Sequence, residues 1–271
     1  MTTTAFDEHE RSQWAGRATA YQDSFAALCA HPAAALLDAA RVGPGDRLLD
    51  AGTGTGTVAA LALARSAHVT AVDAEPTMVD LTRRRLPAAE IHQAVLPELP
   101  FADAAFDAAV ANFVINHVGD PAAAVRELLR VVRPGGHLAV TIWPNPSPPA
   151  QQLWSTIFDA AGIDRPTDLP RVAPGQDFPR TCDGLSTLLR QTGLTDVTTE
   201  AIAWTHRTDP ESWWHGPANG LSTTGYLLQR QDQATITRVR AHYDQQTAPY
   251  RTPDGRLALP TTALLASGAV R

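Results

Sequence analysis

The sequence predicts an α/β fold, a largely parallel sheet with helices on both faces. Three observations carry this. Between residues 46 and 142, short apolar and β-branched runs alternate with helical segments through brief links, the order that builds such a sheet. A Gly-rich turn, Gly52 to Thr57, closes the first run and opens the first helix. Pro76 and Pro121 stand near the starts of later helices, where the missing N–H is not needed.

The elements read as follows. Arg47 to Asp50 is the first strand and Val58 to Arg65, rich in Ala and Leu, the helix after it. His68 to Asp73 is β-branched and ends on an acid; Glu75 to Arg85 is helical. Phe106 to Ala111 is a buried strand, Pro121 to Val132 a helix, Arg133 to Gly136 a turn, and His137 to Trp143 a further strand. Before this block, residues 6 to 41 form one or two Ala-rich helices carrying Trp14 and Tyr21. After it come a Pro-rich linker (145 to 149), a helix (Gln151 to Ala161), an irregular loop (Asp164 to Arg180) and a helix (Leu185 to Thr192) stopped at Gly193. Thr195 to Thr208 is a long strand; Asp209 caps a helix that starts at Pro210. Tyr226 to Gln246 is polar and helical, and Leu257 to Gly268 is the final strand. We expect one domain over 1–271: an N-terminal helical cap (1–45), a core (46–143), a cap insertion (144–194), then closing strands and helices (195–271).

Composition closes several routes. All 22 permanent cations are arginine and no lysine is present, while alanine supplies 47 residues, a bias typical of a GC-rich genome. Without a lysine amine there is no Schiff base, no P-loop or kinase-type lysine, and no Tyr-x-x-x-Lys hydride chemistry. The net charge of −6 argues against nucleic-acid or anionic-membrane partners. Two cysteines, Cys29 and Cys182, are too few for a disulfide framework or Cys-rich zinc site. The histidines show no metal-binding spacing, so no metal is expected. Asp7, Glu8 and Glu10 interrupt residues 1 to 20, so no signal peptide is expected, and no stretch has transmembrane length. The expectation is a cytoplasmic protein; its oligomeric state is not encoded in any motif.

The stretch Asp50-Ala51-Gly52-Thr53-Gly54-Thr55-Gly56 lets the backbone approach a ligand at a helix N-terminus. Its spacing is G-x-G-x-G, not the G-x-G-x-x-G of dinucleotide binders. Asp73, at the end of the next strand, can accept hydrogen bonds from both hydroxyls of a ribose.

On these residues the chain resembles the class I S-adenosylmethionine-dependent methyltransferases. It is most similar to the small-molecule branch near the ubiquinone and menaquinone biosynthesis methyltransferases. The resemblance spans about residues 10 to 142. It rests on Leu48 to Gly56, Ala71-Val72-Asp73, Leu99-Pro100-Phe101 with Ala105-Phe106-Asp107, Asn112 to Asp120, and Val132 to Gly136. It implies a Rossmann-like seven-stranded sheet of order 3-2-1-4-5-7-6 with the last strand antiparallel. It also implies S-adenosylmethionine as cofactor, S-adenosylhomocysteine as its product, and a small-molecule substrate.

The resemblance carries roles onto single residues. Gly52, Gly54 and Gly56 would pass beneath the methionine part and ribose, with Asp50 supporting the turn and Asp73 on the ribose. Ala74 and Met78 would lie against adenine, and Asn112 beside the methionine moiety. Read from the residues alone, Tyr21 and Trp14 are candidates to close over the methionine end. The family's acid before Leu-Pro-Phe is replaced by Val95, so backbone at Val95 and Leu96 would flank adenine, with Gln93 a substitute polar contact.

Methyl transfer needs a base only when the acceptor must lose a proton, and His117 is the candidate. All six tryptophans lie outside or at the edge of the regular core. Trp14, Phe113, Trp143, Trp154, Trp213 and Trp214 are the expected substrate contacts, suited to an apolar, ring-shaped molecule. The leading expectation is methyl transfer to a small, largely apolar metabolite in bacterial secondary metabolism. The alternatives are a cyclisation or rearrangement with the cofactor held structurally, and a nicotinamide-dependent oxidoreductase.

Overall fold

The computed structural model describes residues 4–271. Its sheet has the order β3-β2-β1-β4-β5-β7-β6, built from β1 (Arg47–Ala51), β2 (His68–Asp73), β3 (Glu90–Gln93), β4 (Phe106–Asn112), β5 (Val132–Ile142), β6 (Thr195–Thr208) and β7 (Leu257–Ala269). β1 pairs in parallel with β2 and β4, and β7 runs antiparallel between β5 and β6. The sheet therefore has the predicted order and the predicted antiparallel strand.

The central strands β1, β4 and β5 are buried on both faces because their side chains alternate between two helical layers. Leu49 and Val140 point into a cluster with Leu128 of α7 (Pro121–Val131) and Leu185 and Leu189 of α9 (Cys182–Gln191). Leu48 and Val110 point the other way, toward Leu36 and Leu37 of α4 (Ala33–Ala39) and Val58 and Ala59 of α5 (Thr57–Ala64). α7 illustrates how sequence writes such a helix. Asp120 caps it by accepting the Ala123 N–H at 2.8 Å, Pro121 occupies its first position, and Ala124, Val125, Leu128 and Val131 form one buried stripe. A third cluster, around Trp154, Phe158, Trp213, Val239 and Tyr243, forms the cap. It joins α8 (Pro149–Ala160), α10 (Pro210–Ala218), α11 (Ser222–Gln229) and α12 (Gln233–Thr247) to Leu257 and Leu259 of β7.

Arginine serves as the structural cation. Arg47 donates to Asp107 through its backbone N–H, Nε and Nη2, and Arg133 Nε donates to the same carboxylate at 2.7 Å. These bonds hold Asp107 well below the usual carboxylate range, the Arg47 side chain first, and tie the ends of β1, β4 and β5 together.

The structure corrects several sequence expectations. The N-terminal segment is four short helices, α1 (Ala5–Trp14), α2 (Ala18–Gln22), α3 (Ala26–Ala30) and α4, rather than one or two. Gly16, at φ +72°, separates α1 from α2, and the Ser24 hydroxyl bonds back to the Ala20 carbonyl at 2.6 Å between α2 and α3. Arg133–Gly136 is not a free turn; β5 starts at Val132 and shifts register between Phe106 and Ala108 to accommodate it. The helix predicted over Tyr226–Gln246 is two, α11 and α12, the second opened by Asp232 accepting the Thr235 N–H. The four-residue β3 carried no strand pattern and was not located from sequence. The predicted Leu185–Thr192 helix begins at Cys182, where Thr181 caps it by accepting the Gly184 N–H at 3.1 Å.

Candidate functional site

At the C-terminal ends of β1, β2 and β4 lies a cavity of about 380 Å³, within the range of small-molecule sites. It runs without interruption from the Gly-rich turn to the aromatic cap.

Backbone geometry makes its floor. Gly52 has φ +69°, and a Cβ there would stand 2.3 Å from Cγ2 of Val114, so no larger residue fits. Gly54 donates its N–H to Asp73 Oδ2 at 2.7 Å, and the ring of Tyr21 lies over it. Asp73 Oδ1 accepts the Glu75 N–H at 2.9 Å. The carboxylate is thus aimed by two backbone donors while keeping free lone pairs toward the cavity. Burial raises its pKa above the ordinary carboxylate value, opposed by those N–H bonds.

Two residues named with this turn stand behind it. Gly56 is absent from the lining; a Cβ there would press on Leu86 and Thr82 at 2.8 Å, so it serves helix packing against α6 (Pro76–Arg85). Asp50 is fully buried, accepting the Thr53 hydroxyl at 2.7 Å and the Ala59 N–H at 3.1 Å. Burial pushes its carboxyl up to about 6.

Ala74, Met78, Ala94, Val95 and Leu96 line one end of the cavity. Gln93 does not; its side chain reaches back to the Ala74 carbonyl at 3.4 Å. Val95 is 38% exposed, with no polar group where the family acid would stand. Near the centre, Asn112 donates to the Cys29 carbonyl and accepts from the Thr141 hydroxyl, which fixes its amide. Tyr21 and Cys29 are hydrogen-bonded to each other. Burial first, then Cys29, raises the Tyr21 hydroxyl well above its ordinary value, and burial pushes the Cys29 thiol up to about 11. Neither group ionises readily.

The far end is an aromatic chamber walled by Phe25, Phe113, Trp143, Trp154 and Trp213. Phe113 adopts φ +59°, a conformation held only when its surroundings enforce it. Its N–H donates to both the Thr141 carbonyl and hydroxyl, and its ring stacks on Trp143 at 4.0 Å. Trp214 does not line the chamber; its ring packs against Trp154 and Tyr243 under the Arg240 guanidinium. Adjacent helical residues point about 100° apart, so only one of the pair Trp213–Trp214 faces inward.

Asp7, Glu10, Arg11 and Trp14, one face of α1, form the roof. Glu10 Oε2 meets His117 Nδ1 at 2.6 Å, and Asp7 accepts the Gly119 N–H at 2.7 Å. Neither acid was singled out from sequence. The only available signal is their helical spacing with Trp14. With Asp73 and Glu75, four carboxylates and one guanidinium line the cavity. Among the described residues, no His, Cys, Asp or Glu cluster could hold a metal.

Fold and site together define a Rossmann-like methyltransferase architecture. Residues 49–140 match the family model described as "Methyltransferase domain". The chain is 39% identical over 108 residues to a demethylmenaquinone methyltransferase of Clavibacter sepedonicus, covering 39% of this chain and 44% of that protein. It is 38% identical over 120 residues to a malonyl-acyl-carrier-protein O-methyltransferase of Serratia marcescens, covering 44% and 47%. The match spans less than half the length of each of these relatives. Among solved structures, YcgJ of Bacillus subtilis superposes with a TM-score of 0.56 at 18% identity, over 89% of this chain and 98% of that one. The cyclase SpnF superposes at 0.52 and 20%, over 89% and 80%. At such identities these two establish the fold alone. Over residues 49–140 the chain is thus similar to methyltransferase domains, those of small-molecule methyltransferases among them.

Proposed function

We propose that the protein transfers a methyl group from S-adenosylmethionine to a small, largely apolar, ring-shaped metabolite. One observation carries the reading: a single cavity joins the Gly52–Asp73 face to an aromatic chamber, so donor and acceptor can meet inside it, away from water. The cavity fits that cofactor. Gly52, where Val114 leaves no space for a Cβ, and Gly54 present bare backbone to the cavity, Asp73 keeps acceptor capacity for two ribose hydroxyls, and Ala74, Met78, Val95 and Leu96 offer an apolar slot for adenine. Asp73 and Glu75 suit its positive charge. When bound, it supplies an electrophilic methyl group on a cationic sulfur.

The chain's own part is positioning. Asp73 and the Gly-rich turn hold one end, Tyr21 and Asn112 border the middle, and Phe113, Trp143, Trp154 and Trp213 hold the acceptor's ring. His117 lies in the same cavity as the base for acceptors that must lose a proton. The names of the matched relatives support methyl transfer. No helix among the described residues is long and apolar enough to cross a membrane. We read the setting as cytoplasmic and, from the Ala- and Arg-rich composition, as bacterial secondary metabolism.

A second reading keeps the cofactor structurally and assigns a cyclisation. It is favoured by Val95, which leaves the adenine amino group without the usual acid. Titration calorimetry with S-adenosylhomocysteine and, separately, NAD tests the cofactor: binding of the first alone is expected, and a hundredfold excess over Kd raises stability by about 2.7 kcal/mol. Preference for NAD would overturn both readings. Transfer of labelled methyl to an acceptor then separates methylation from cyclisation.

A further inference from the structure

Glu10 and His117 are 107 residues apart in sequence and 2.6 Å apart in space. α1 delivers the carboxylate, and the one-turn helix after β4, Ile115–His117, delivers the imidazole. Trp14, one turn along α1 from Glu10, packs edge-on against the imidazole with ring centroids 5.4 Å apart. Asp7, one turn earlier, grips the Gly119 N–H, so roof and imidazole are joined at three points. The pair is sheltered, with the Glu10 side chain 13% and the His117 side chain 33% exposed. An ionised carboxylate only accepts, so Nδ1 carries the proton and the Nε2 lone pair is left toward whatever occupies the cavity. Among the described residues, Nε2 has no hydrogen-bond partner.

A second observation concerns the chamber walls. Among residues lining the cavity, the buried side-chain atoms without a partner are Nε2 of Gln151 and Nε1 of Trp154 and Trp213. All are donors. The Gln151 oxygen is already taken by the Thr261 hydroxyl at 3.2 Å, whereas each of the four lining carboxylates already accepts from protein. A buried donor left unpaired costs about 1–3 kcal/mol, and side-chain rotations of the size common on binding bring such groups to a ligand atom. The spare capacity matches oxygen, which accepts, better than an amine, which donates.

Resting on the methyltransferase reading, we propose that Glu10 is a positioning residue that holds His117 as the Nδ1–H tautomer, so that Nε2 removes the proton from a hydroxyl on a ring-shaped acceptor. The reaction is then an O-methylation. The acceptor's O–H bond breaks and its proton passes to Nε2; the oxygen's electron pair forms the new O–CH3 bond. The S–CH3 bond breaks with its pair staying on sulfur, which becomes a neutral thioether. Glu10 balances the imidazolium until its proton leaves to solvent. A purely structural tie between α1 and the loop would fix the tautomer as well, but it would give a hydroxyl acceptor no advantage that depends on Glu10.

The test combines nitrogen NMR of the His117 ring with calorimetry. The wild type is expected to carry its ring proton on Nδ1. Glu10→Leu shifts the neutral ring toward the Nε2–H form, and Glu10→Gln, whose amide oxygen still accepts, retains the wild-type form. S-adenosylhomocysteine affinity stays within about threefold in both variants, a change below ~1 kcal/mol. An Nε2–H wild type, or an unchanged tautomer in Glu10→Leu, overturns the proposal. Should Glu10→Leu not fold, the wild-type spectrum alone still decides the tautomer. In protein loaded with S-adenosylhomocysteine, 2-naphthol, 2-methoxynaphthalene and naphthalene serve as probes. We expect 2-naphthol to bind about tenfold more tightly than naphthalene, as one good hydrogen bond provides. Its advantage over the methyl ether should vanish in Glu10→Leu. Equal affinity for the three probes overturns the assignment to a hydroxyl. Failure to bind S-adenosylhomocysteine overturns the methyltransferase reading instead, and leaves the tautomer measurement intact.

Discussion

The two ends of the cavity are built in opposite ways. The cofactor face is mostly backbone: a left-handed Gly52, the Gly54 N–H, and one carboxylate aimed by two amides. The aromatic chamber is side chain, assembled from the α2–α3 link, α8, α10 and the ends of β4 and β5. Backbone geometry is written in contiguous residues and tolerates little change. A side-chain chamber draws on distant segments and can be refitted by substitution. Under the proposed function, the first end sets which chemistry is possible, and the second sets which molecule receives it.

Trp154→Ala should break the chamber most severely. Trp154 is 5% exposed and packs on Phe158, Trp214 and Tyr243, so its removal costs about 3–5 kcal/mol. Urea unfolding measures this, and a loss below about 1 kcal/mol would show that the cap is not a packed core. S-adenosylhomocysteine affinity should change little. Asp73→Ala is the complementary break. Losing two charge-assisted hydrogen bonds to a ribose, at about 1.5 kcal/mol or more each, weakens cofactor affinity on the order of 100-fold by calorimetry, with the chamber untouched. Affinity within fivefold of wild type would remove Asp73 from the site.

The two ends also respond oppositely to pH. In the cap, His206 is held down to about 4, first by burial and then by Arg256 and His31. Between about 6.5, its ordinary value, and 4, the unfolded chain binds a proton that the folded chain refuses. Its contribution is therefore full above pH 6.5 and falls away toward pH 4, by on the order of 2–3 kcal/mol. Asp50, beneath the cofactor face, is pushed up to about 6 by burial. Between about 3.8 and 6 the folded chain holds a proton that the unfolded chain releases, so this contribution is full at low pH and is lost as pH rises through 6. Urea midpoints at pH 4.5 and 7 should show His206→Leu less acid-sensitive than wild type; equal sensitivity would show that His206 is not buried neutral. The smallest effect sharpens the cofactor face. Val95→Asp restores an acid near adenine and should tighten S-adenosylhomocysteine binding by about 1.5 kcal/mol, roughly tenfold. Unchanged or weaker binding would remove the idea that the valine leaves a contact unmade.

The same contrast explains what could be read from the sequence. Gly52, Gly54, Asp73 and Asn112 are legible because a strand, a turn and a helix in one stretch fix where their groups point. Gly56 and Asp50 belong to the same stretch, yet they lie behind the cavity, because a motif does not say which side of a turn a residue faces. Trp213 and Trp214 were indistinguishable until helix phase was known. Glu10 carries only a weak local signal, its helical spacing with Asp7 and Trp14, since an acid on a polar helix is ordinarily solvated and its partner lies 107 residues on. β3 escaped because Glu90–Gln93 alternates over too few residues to register.

The roof carries a consequence for the order of folding. The bonds that dock it on the core reach far downstream: His117 for Glu10, 107 residues on, and Gly119 for Asp7, 112 residues on, with Gly16 just beyond the helix bonded to Glu75, 59 residues on. Contacts that close such long loops form late. This segment, made before its partners, is thus among the last to dock, and a refolding chain should complete the Gly52–Asp73 end of its cavity before it can close the roof.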